Sequence, residues 1–259
     1  MTSIKQRLAR GELVRVMFQG ALASPKLVEI AAKMADVHGI WFDQEHSGLS
    51  HQQLEVLLLA SRAADLEAVV RVAPTDYTTI MRPMEAGANG VMAAQIRTVS
   101  EVEQLMQWAK YPPVGVRGLF RGNHEAGFGT VVQTEHIERA NRDRWLLIQI
   151  ETPEAVACVD DIANVPGVDC LFVGPGDLAC TLGVPGQPLH PRCTEALGKV
   201  ATAAKRSGKP WGVLTLSADH AEHCLQLGCQ LFSLVSDLNV VHQGFSSVKQ
   251  TYSAIYSAT

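Results

Sequence analysis

Two apolar runs flank a helical pattern in the stretch WLLIQIETPEAVACVDDIANVPGVDCLFVG (145–174). The runs WLLIQIE (145–151) and CLFVG (170–174) are almost continuously apolar, as expected of strands buried on both faces of a parallel sheet. Thr152 and Pro153 mark a helix start, because proline is favoured at the first helical position. Gly167 suits the left-handed connection from a helix to the next strand. The stretch therefore predicts a β–α–β unit with parallel strands.

The same alternation continues along the chain. The other strand candidates are VRVMF (14–18), GIWFD (39–43), AVVRV (68–72), GVMAA (90–94), WGVLTL (211–216) and LFSLVSD (231–237), which makes eight in total. Helical patterns occupy 24–37, 50–64, 98–110, 153–165, 191–207 and 218–227. Ser24 and Ser100 are further predicted helix starts. The Pro- and Gly-rich stretch 111–132 is predicted to be irregular.

The length of 259 residues suits a barrel of eight βα units, which needs about 250. No change in composition marks a linker. Residues 19–23, after the first strand, lack the Gly-rich turn of a doubly wound nucleotide-binding fold. We therefore predict one α/β domain over residues 1–259, folded as a TIM (β/α)8 barrel.

Composition excludes several classes of protein. Hydrophobic residues make up 47% of the chain and charged residues 19%, so a disordered chain is excluded. A net charge of −4 provides no basic surface for nucleic acid or an anionic membrane. No apolar run reaches the ~20 residues of a transmembrane helix, and the N-terminus lacks the apolar core of a signal peptide. The six cysteines form no CxxC pair, which is typical of reduced thiols, and we expect a cytoplasmic protein.

Two carboxylates lie at the carboxyl ends of predicted strands, where the active site of a TIM barrel forms. Glu151 ends the fifth strand, and Asp177 follows a Gly-Pro-Gly turn after the sixth. Carboxylates on adjacent strands suit a hard divalent ion completed by water and substrate. The alternative is that Asp177 caps the following helix and that Glu151 favours a helix N-terminus.

Arg71, Asp43 and His46 lie at the ends of the second and third strands. The rest of the Arg71 strand is apolar, so its guanidinium must point into the mouth or find a partner. A fixed guanidinium there suits a carboxylate or enolate oxygen. Asp43 and His46 are three residues apart, a spacing at which the carboxylate can orient the imidazole and raise its basicity.

The remaining histidines and the lysines are weaker candidates. His220 and His223 have helical spacing, and the acidic residues beside them predict a solvated helix face. Schiff-base aldolases need a lysine inside the mouth, whereas no lysine ends a predicted strand. Covalent imine chemistry is therefore disfavoured.

Five segments carry a resemblance to a known family: WFDQEHSGLS (41–50), YPPVGVRG (111–118), LLIQIETPEAV (146–156), LFVGPGDLACTLGVPGQPLHP (171–191) and LQLGCQLFSLVSDLNVV (225–241). In this order they resemble the HpcH/HpaI aldolase family, the class II pyruvate aldolases. The resemblance implies a TIM barrel with an extra C-terminal helix, residues 240–257, exchanged between subunits. It also implies a homo-oligomer, a hexamer built as a trimer of dimers.

The resemblance further implies roles for individual residues. Glu151 and Asp177 match the ligands of a divalent metal ion (Mg²⁺, Mn²⁺ or Co²⁺), and no organic cofactor is implied. Arg71 matches the arginine that steadies the pyruvate enolate, and His46 with Asp43 matches the catalytic base dyad. The substrate-binding positions are matched by Gln149, the backbone amides of Gly176 and Asp177, Phe18 and Leu214.

The expected function is reversible, metal-dependent aldol cleavage of a 4-hydroxy-2-oxo acid to pyruvate, or a related 2-oxo acid, and an aldehyde. Ala93–Ala94–Gln95 stands where relatives carry Val-Pro-Met, and Glu85 and residues 121–128 also depart from the family. These departures lie outside the metal and pyruvate positions, so they bear on which aldehyde the enzyme accepts rather than on the reaction type. One alternative is a CoA-ester lyase of the citrate or malyl-CoA type, although no basic cluster serves the CoA phosphates. Another is a non-catalytic 2-oxo-acid-binding protein on the same scaffold.

Overall fold

Eight parallel strands close into a barrel in the computed structural model, which describes residues 2–257. The strands are β1 (Val14–Gln19), β2 (Gly39–Asp43), β3 (Glu67–Val72), β4 (Gly90–Ala93), β5 (Trp145–Ile150), β6 (Cys170–Val173), β7 (Trp211–Leu214) and β8 (Leu231–Ser236). Each pairs with the next along the chain, and β8 pairs with β1. The predicted TIM barrel is confirmed, and each predicted strand end lies within two residues of the observed one.

Helices surround the barrel: α1 (Ile4–Ala9), α2 (Pro25–Met34), α3 (His51–Ala63), α4 (Tyr77–Ala86), α5 (Val99–Ala109), α6 (Gln133–Asp143), α7 (Pro153–Ala157), α8 (Val159–Asn164), α9 (Pro175–Thr181), α10 (Pro191–Ser207), α11 (Ala218–Gln226), α12 (Asp237–Thr251) and α13 (Ser253–Tyr256). Among residues 2–257, no helix combines the length and the hydropathy that a membrane-spanning segment requires.

Side-chain caps set several helix starts. Ser24 caps α2 and Thr152 caps α7, as predicted. The prediction for Ser100 was wrong, because the cap of α5 lies two residues earlier, at Thr98, which forms a capping box. The predicted helix over 153–165 is divided at Cys158, whose φ of −112° and ψ of 21° lie outside the helical range.

The barrel interior is filled with apolar side chains. An inner cluster is formed by residues of several strands: Val16, Trp41, Val69, Met92, Leu147 and Phe172. Ile4 and Leu8 of α1 belong to the same cluster. A larger cluster lies between the strands and the surrounding helices. Because the interior is a packed core rather than a pore, the open carboxyl ends of the strands are the place for a site.

Buried charges anchor the stretch 111–132, whose regular structure is limited to a 3₁₀ turn at Gly127–Gly129. Arg117 Nη2 donates to Glu125 Oε2 at 2.6 Å, and Arg144 Nε donates to Glu125 Oε1 at 3.0 Å. Burial alone would raise the pKa of Glu125, but the two guanidinium groups hold it below its usual value. This irregular stretch is therefore fixed to the end of α6 by charge.

The prediction that His220 lies on a solvated face was wrong. His220 is fully buried, and its Nε2 lies 3.8 Å from Cys224 Sγ one turn later on α11. Burial lowers the pKa of His220, and the charge of His223 lowers it further. The acidic neighbours Asp219 and Glu222 lie away from this buried side, so His220 marks the inner face of the helix.

The last long helix, α12, leaves the barrel wall. Its main contacts are with β8, β1 and α13. Asp237 at its start is buried, and Asp237 Oδ2 accepts the backbone N–H groups of Gly20 at 2.9 Å and Leu22 at 2.8 Å. Apolar side chains along the rest of the helix are exposed, among them Val241, Phe245 and Val248.

Candidate functional site

Buried polar side chains gather at the carboxyl ends of the strands. Asp43, Arg71, Gln149 and Glu151 are each at most 8% exposed. Polar groups are buried only where hydrogen bonds or charges compensate the lost hydration. Each of these four residues lies at or near the end of a strand, or directly follows one. The barrel thus brings side chains from β2, β3 and β5 to one rim.

Arg71 is held in a fixed orientation. Its Nε and Nη2 donate to Asp43 Oδ1 at 2.9 Å and Oδ2 at 2.8 Å, and its Nη1 lies 3.3 Å from Glu45 Oε2. Its Cζ lies 5.0 Å from the Trp41 ring centroid, within range of a cation–π contact. Burial alone would lower the pKa of Arg71, but Asp43, with Glu45 and Glu151, raises it above its usual value. The site therefore contains a permanent, oriented cation.

The structure does not bring Asp43 and His46 together as a dyad. The Asp43 carboxylate accepts from Arg71 and from the backbone N–H of Glu45 at 2.9 Å. His46 Nε2 lies 3.6 Å from Glu45 Oε1, and the His46 side chain is 60% exposed. The β2–β3 register explains the difference, because it aligns Asp43 with Arg71 on the neighbouring strand.

Glu45 is a site residue that the sequence reasoning missed. Its side chain is only 6% exposed and lies between Arg71 and His46. One feature of the sequence could have indicated a role for Glu45: it belongs to the run Asp43–Gln44–Glu45–His46, which places three ionisable residues at the end of one strand. Side-chain direction in that loop cannot be inferred from spacing, so the pairing emerges only from the structure.

Glu151 lies in a tight polar pocket. Its Oε1 accepts the backbone N–H of Gln95 at 2.7 Å, and its Oε2 accepts from Gln149 Nε2. Burial raises the pKa of Glu151 to about 6, and the charges of Glu45 and Asp177 act in the same direction. A Cβ on Gly174 would lie 2.5 Å from Glu151 Oε2 and 2.8 Å from Gln149 Nε2. Only glycine leaves room for this pair.

Neither predicted metal ligand serves as a helix cap. Thr152, not Glu151, caps α7, and α9 follows Gly174 without a side-chain cap. Asp177 is the third residue of α9 and is half-buried, and its carboxylate accepts no hydrogen bond from residues 2–257. The same residues contain no group of three or more His, Cys, Asp or Glu side chains placed to hold a metal ion. A metal here would thus rely on two protein carboxylates.

Two half-buried apolar residues line the mouth. Phe18 packs against Trp41 with ring centroids 4.3 Å apart and ring planes tilted by 34°, and Leu214 ends β7. Both pack against the inner cluster of the barrel. Gly176 lies at the surface in the first turn of α9, and a side chain at this position would enter open space. One side of the mouth is therefore apolar, and the α9 side is open.

Comparison with known proteins agrees with this geometry. A family model described as HpcH/HpaI aldolase/citrate lyase matches residues 15–243. The chain is 30% identical over 239 residues to the 5-keto-4-deoxy-D-glucarate aldolase of Shigella boydii serotype 18, covering 92% of each protein. It is 34% identical over 205 residues to a pyruvate aldolase of Rhizobium etli, covering 79% of this chain and 80% of the relative.

The fold is also similar to a solved structure, the HpcH/HpaI aldolase of Desulfitobacterium hafniense DCB-2. The TM-score is 0.90 at 27% identity, and the match covers 97% of this chain and 96% of the other. The resemblance noted in the sequence is thereby confirmed over nearly the whole barrel. The chain is an enzyme of the HpcH/HpaI aldolase/citrate lyase family.

Proposed function

We propose that this enzyme catalyses the reversible aldol cleavage of 4-hydroxy-2-oxo acids to pyruvate, or a related 2-oxo acid, and an aldehyde. The main support is one observation: Glu151, which is buried and hydrogen-bonded to Gln149, lies close enough to Arg71 for its charge to raise the pKa of that guanidinium. This combination suits a reaction in which negative charge develops on a bound 2-oxo acid.

The side chains at the rim fit a divalent cation such as Mg²⁺, Mn²⁺ or Co²⁺. Gln149 Oε1 is buried and has no hydrogen-bond partner among residues 2–257. Glu151 and Asp177 supply two carboxylates, and oxygen donors of this kind prefer hard metal ions. We assign Glu151 and Asp177 as the ligands. A divalent ion held by these residues would supply Lewis-acid stabilisation of the enolate.

The 2-oxo acid is held by groups on β3, β5 and α9. Arg71, fixed by Asp43, stabilises the enolate charge, and the Gln149 amide holds the 2-oxo acid. The backbone N–H groups of Gly176 and Asp177 lie in the first turn of α9, where helical N–H groups have no intrahelical acceptor. These two N–H groups bind the substrate carboxylate.

His46 moves the proton on the 4-hydroxyl group of the substrate. Its exposed imidazole lies at the rim beside Glu45, where an acceptor aldehyde enters and leaves. Phe18 and Leu214 form the apolar wall that limits the acceptor side. Asp43 acts through Arg71, and its carboxylate does not contact the imidazole.

Further copies of the same chain are the proposed partners. The exposed apolar side chains Val241, Phe245 and Val248 of α12 are the surface that a second copy would cover. Exchange of α12 between subunits, in a hexamer built from dimers, accounts for a long helix that packs so little on its own barrel.

The function is tested with protein stripped of metal by a chelator and checked for residual metal. We expect 4-hydroxy-2-oxo acid cleavage to be lost and then restored by added Mn²⁺, Mg²⁺ or Co²⁺. Full activity without metal would refute the metal-dependent mechanism. Turnover of malyl-CoA or citramalyl-CoA instead would identify a CoA-ester lyase, and pyruvate binding without exchange of its methyl protons would identify a non-catalytic binder.

The ligand assignment has its own test. Glu151→Gln and Asp177→Asn should each weaken Mn²⁺ binding, measured by calorimetry, by at least about 10-fold. Glu103→Gln removes the same charge from an exposed position on α5 and should leave Mn²⁺ affinity unchanged. Wild-type affinity in either rim variant would exclude that residue as a ligand.

A further inference from the structure

Gln95 is the residue in the rim with an unusual backbone conformation. It lies just after β4, and its φ of +59° lies in the left-handed region that residues other than glycine rarely adopt. Such a conformation is unfavourable for a residue with a Cβ and persists where the surroundings stabilise it, often at functional sites. In the sequence, Gln95 belongs to the Ala93–Ala94–Gln95 segment that departs from the family.

Two hydrogen bonds connect Gln95 to different parts of the rim. Its backbone N–H donates to Glu151 Oε1 at 2.7 Å, and its side-chain Nε2 donates to Glu45 Oε1 at 3.2 Å. The left-handed turn lets one residue present both groups toward the mouth. Gln95 therefore joins the end of β5 to the loop after β2.

The position of the Glu45 carboxylate depends on the hydrogen bond from Gln95. The bond from Gln95 is the one hydrogen bond that the Glu45 carboxylate makes within residues 2–257, and Glu45 Oε2 has only the charge of Arg71 nearby. Glu45 Oε1, the atom that Gln95 holds, is also the atom 3.6 Å from His46 Nε2. The exposed His46 imidazole has no other charged neighbour within ion-pair distance in the described chain.

We propose that Gln95 is a positioning residue, which holds Glu45 against His46 with its side chain and Glu151 with its backbone. This inference rests on the proposed function, because it assigns the imidazole a proton transfer that must be aligned. It also assigns Glu45, rather than Asp43, as the carboxylate that orients His46. The side chain and the backbone of Gln95 act on different groups, so they can be separated by mutation.

Gln95→Met separates them, since methionine has a similar length and keeps the backbone N–H but has no donor for Glu45. A positioned proton-transfer group contributes about 10²–10⁴-fold to a rate, so partial loss of alignment should lower kcat by about 10- to 100-fold. The KM for the 2-oxo acid and the calorimetric Kd for Mn²⁺ should stay within about twofold. Gln95→Glu, which places a carboxylate beside Glu45, should lower kcat at least as far.

Gln104→Met is the matched control. Gln104 lines the same cavity of about 500 Å³ as Gln95 but makes no hydrogen bond to Glu45 or Glu151. It should retain wild-type kcat, and thermal unfolding should show all variants folded. Wild-type kcat in Gln95→Met would overturn the proposal. Loss of Mn²⁺ affinity in the same variant would also overturn it, because the effect would then pass through Glu151.

A readout independent of turnover keeps this inference distinct from the proposed function. The NMR resonance of the His46 ring C–H, assigned by its absence in His46→Gln, should shift in Gln95→Met and remain in place in Gln104→Met. If wild-type protein cleaves no 4-hydroxy-2-oxo acid, the proposed function fails while the His46 shift still decides the role of Gln95. An unchanged His46 resonance would overturn that role in either case.

Discussion

At the scale of single residues, the Glu151 carboxylate is held by hydrogen bonds to both of its oxygens. Its two oxygens are shared between Gln95 and Gln149, and Gly174 closes the pocket from the end of β6. The carboxylate is thus oriented before any ligand arrives. Orientation of this kind reduces the cost of binding an ion or a charged substrate.

Gly174→Ala tests this packing. The added methyl would lie 2.5 Å from Glu151 Oε2, so the carboxylate must move. Disturbed support of a metal ligand typically costs 10- to 100-fold in affinity, and we expect a loss of about that size in the Mn²⁺ Kd measured by calorimetry. Gly198→Ala, in the middle of α10 where a methyl would enter open space, is the control and should raise stability by up to about 1 kcal/mol. An unaltered Kd in Gly174→Ala would show that the Glu151 pocket tolerates movement.

The positions of the rim residues can be predicted from the sequence, but their partners cannot. Parallel strands all end at one rim of a barrel, so Arg71 and Glu151 are recognisable as polar ends of apolar strands. The partner of Asp43 depends on the register between β2 and β3, which places it beside Arg71. A spacing of three residues along a loop carries no information about this register. The left-handed turn at Gln95 likewise has no local signal, since the two residues it hydrogen-bonds, Glu151 and Glu45, are distant in the sequence.

At the scale of elements, the irregular stretch 111–132 is stabilised by Glu125 between two arginines. Glu125→Gln leaves the buried Arg117 and the half-buried Arg144 without their counter-charge, and breaking a buried pair costs about 3–5 kcal/mol. We expect a loss of this size in the free energy of unfolding at pH 7, measured by urea denaturation. Glu135→Gln, an exposed change on α6, should alter it by less than about 0.5 kcal/mol.

The same variant has a defined pH dependence. Arg117 and Arg144 hold the pKa of Glu125 below its value in the unfolded chain, against the effect of burial. Stabilisation by Glu125 is therefore fully present above the unfolded pKa and is lost as pH falls through the folded one. The difference between wild type and Glu125→Gln should shrink as the pH is lowered below about 4.5. A difference that is constant from pH 7 to acid pH would contradict this account.

Elements with strong local signals are predicted well. The eight strands are apolar runs between turn residues, and α2, α3, α5 and α10 have clear periodicity and caps. Two helices that the sequence analysis did not predict, α4 and α6, lack a clear periodicity or a side-chain cap. Within α4, Pro83 interrupts the expected pattern, and α6 begins without a side-chain cap inside a polar sequence. His220 is buried because its face of α11 packs against the strands. Tertiary packing decides which face that is, and the local sequence does not show it.

At the scale of the whole molecule, α12 carries an apolar face that residues 2–257 leave uncovered. Phe245 is 67% exposed on the face that also carries Val241 and Val248. Phe245→Asp introduces a charge into the proposed subunit contact, so we expect smaller assemblies in sedimentation velocity at equal protein concentration. Gln250→Asp adds the same charge at an exposed position away from this apolar face and should leave the assembly intact. An unchanged sedimentation coefficient in Phe245→Asp would place the contact elsewhere.

The position of Trp41 beside Arg71 also makes ligand binding at the site detectable by tryptophan fluorescence. Trp41 is 2% exposed, its Nε1 donates to Ser233 Oγ at 2.9 Å, and the Arg71 guanidinium lies over its ring. Indole emission responds to nearby charge, and an anionic ligand that binds Arg71 changes the charge above this ring. Intrinsic fluorescence can therefore follow occupancy of the site at equilibrium, without a dye, a coupled assay or a single turnover.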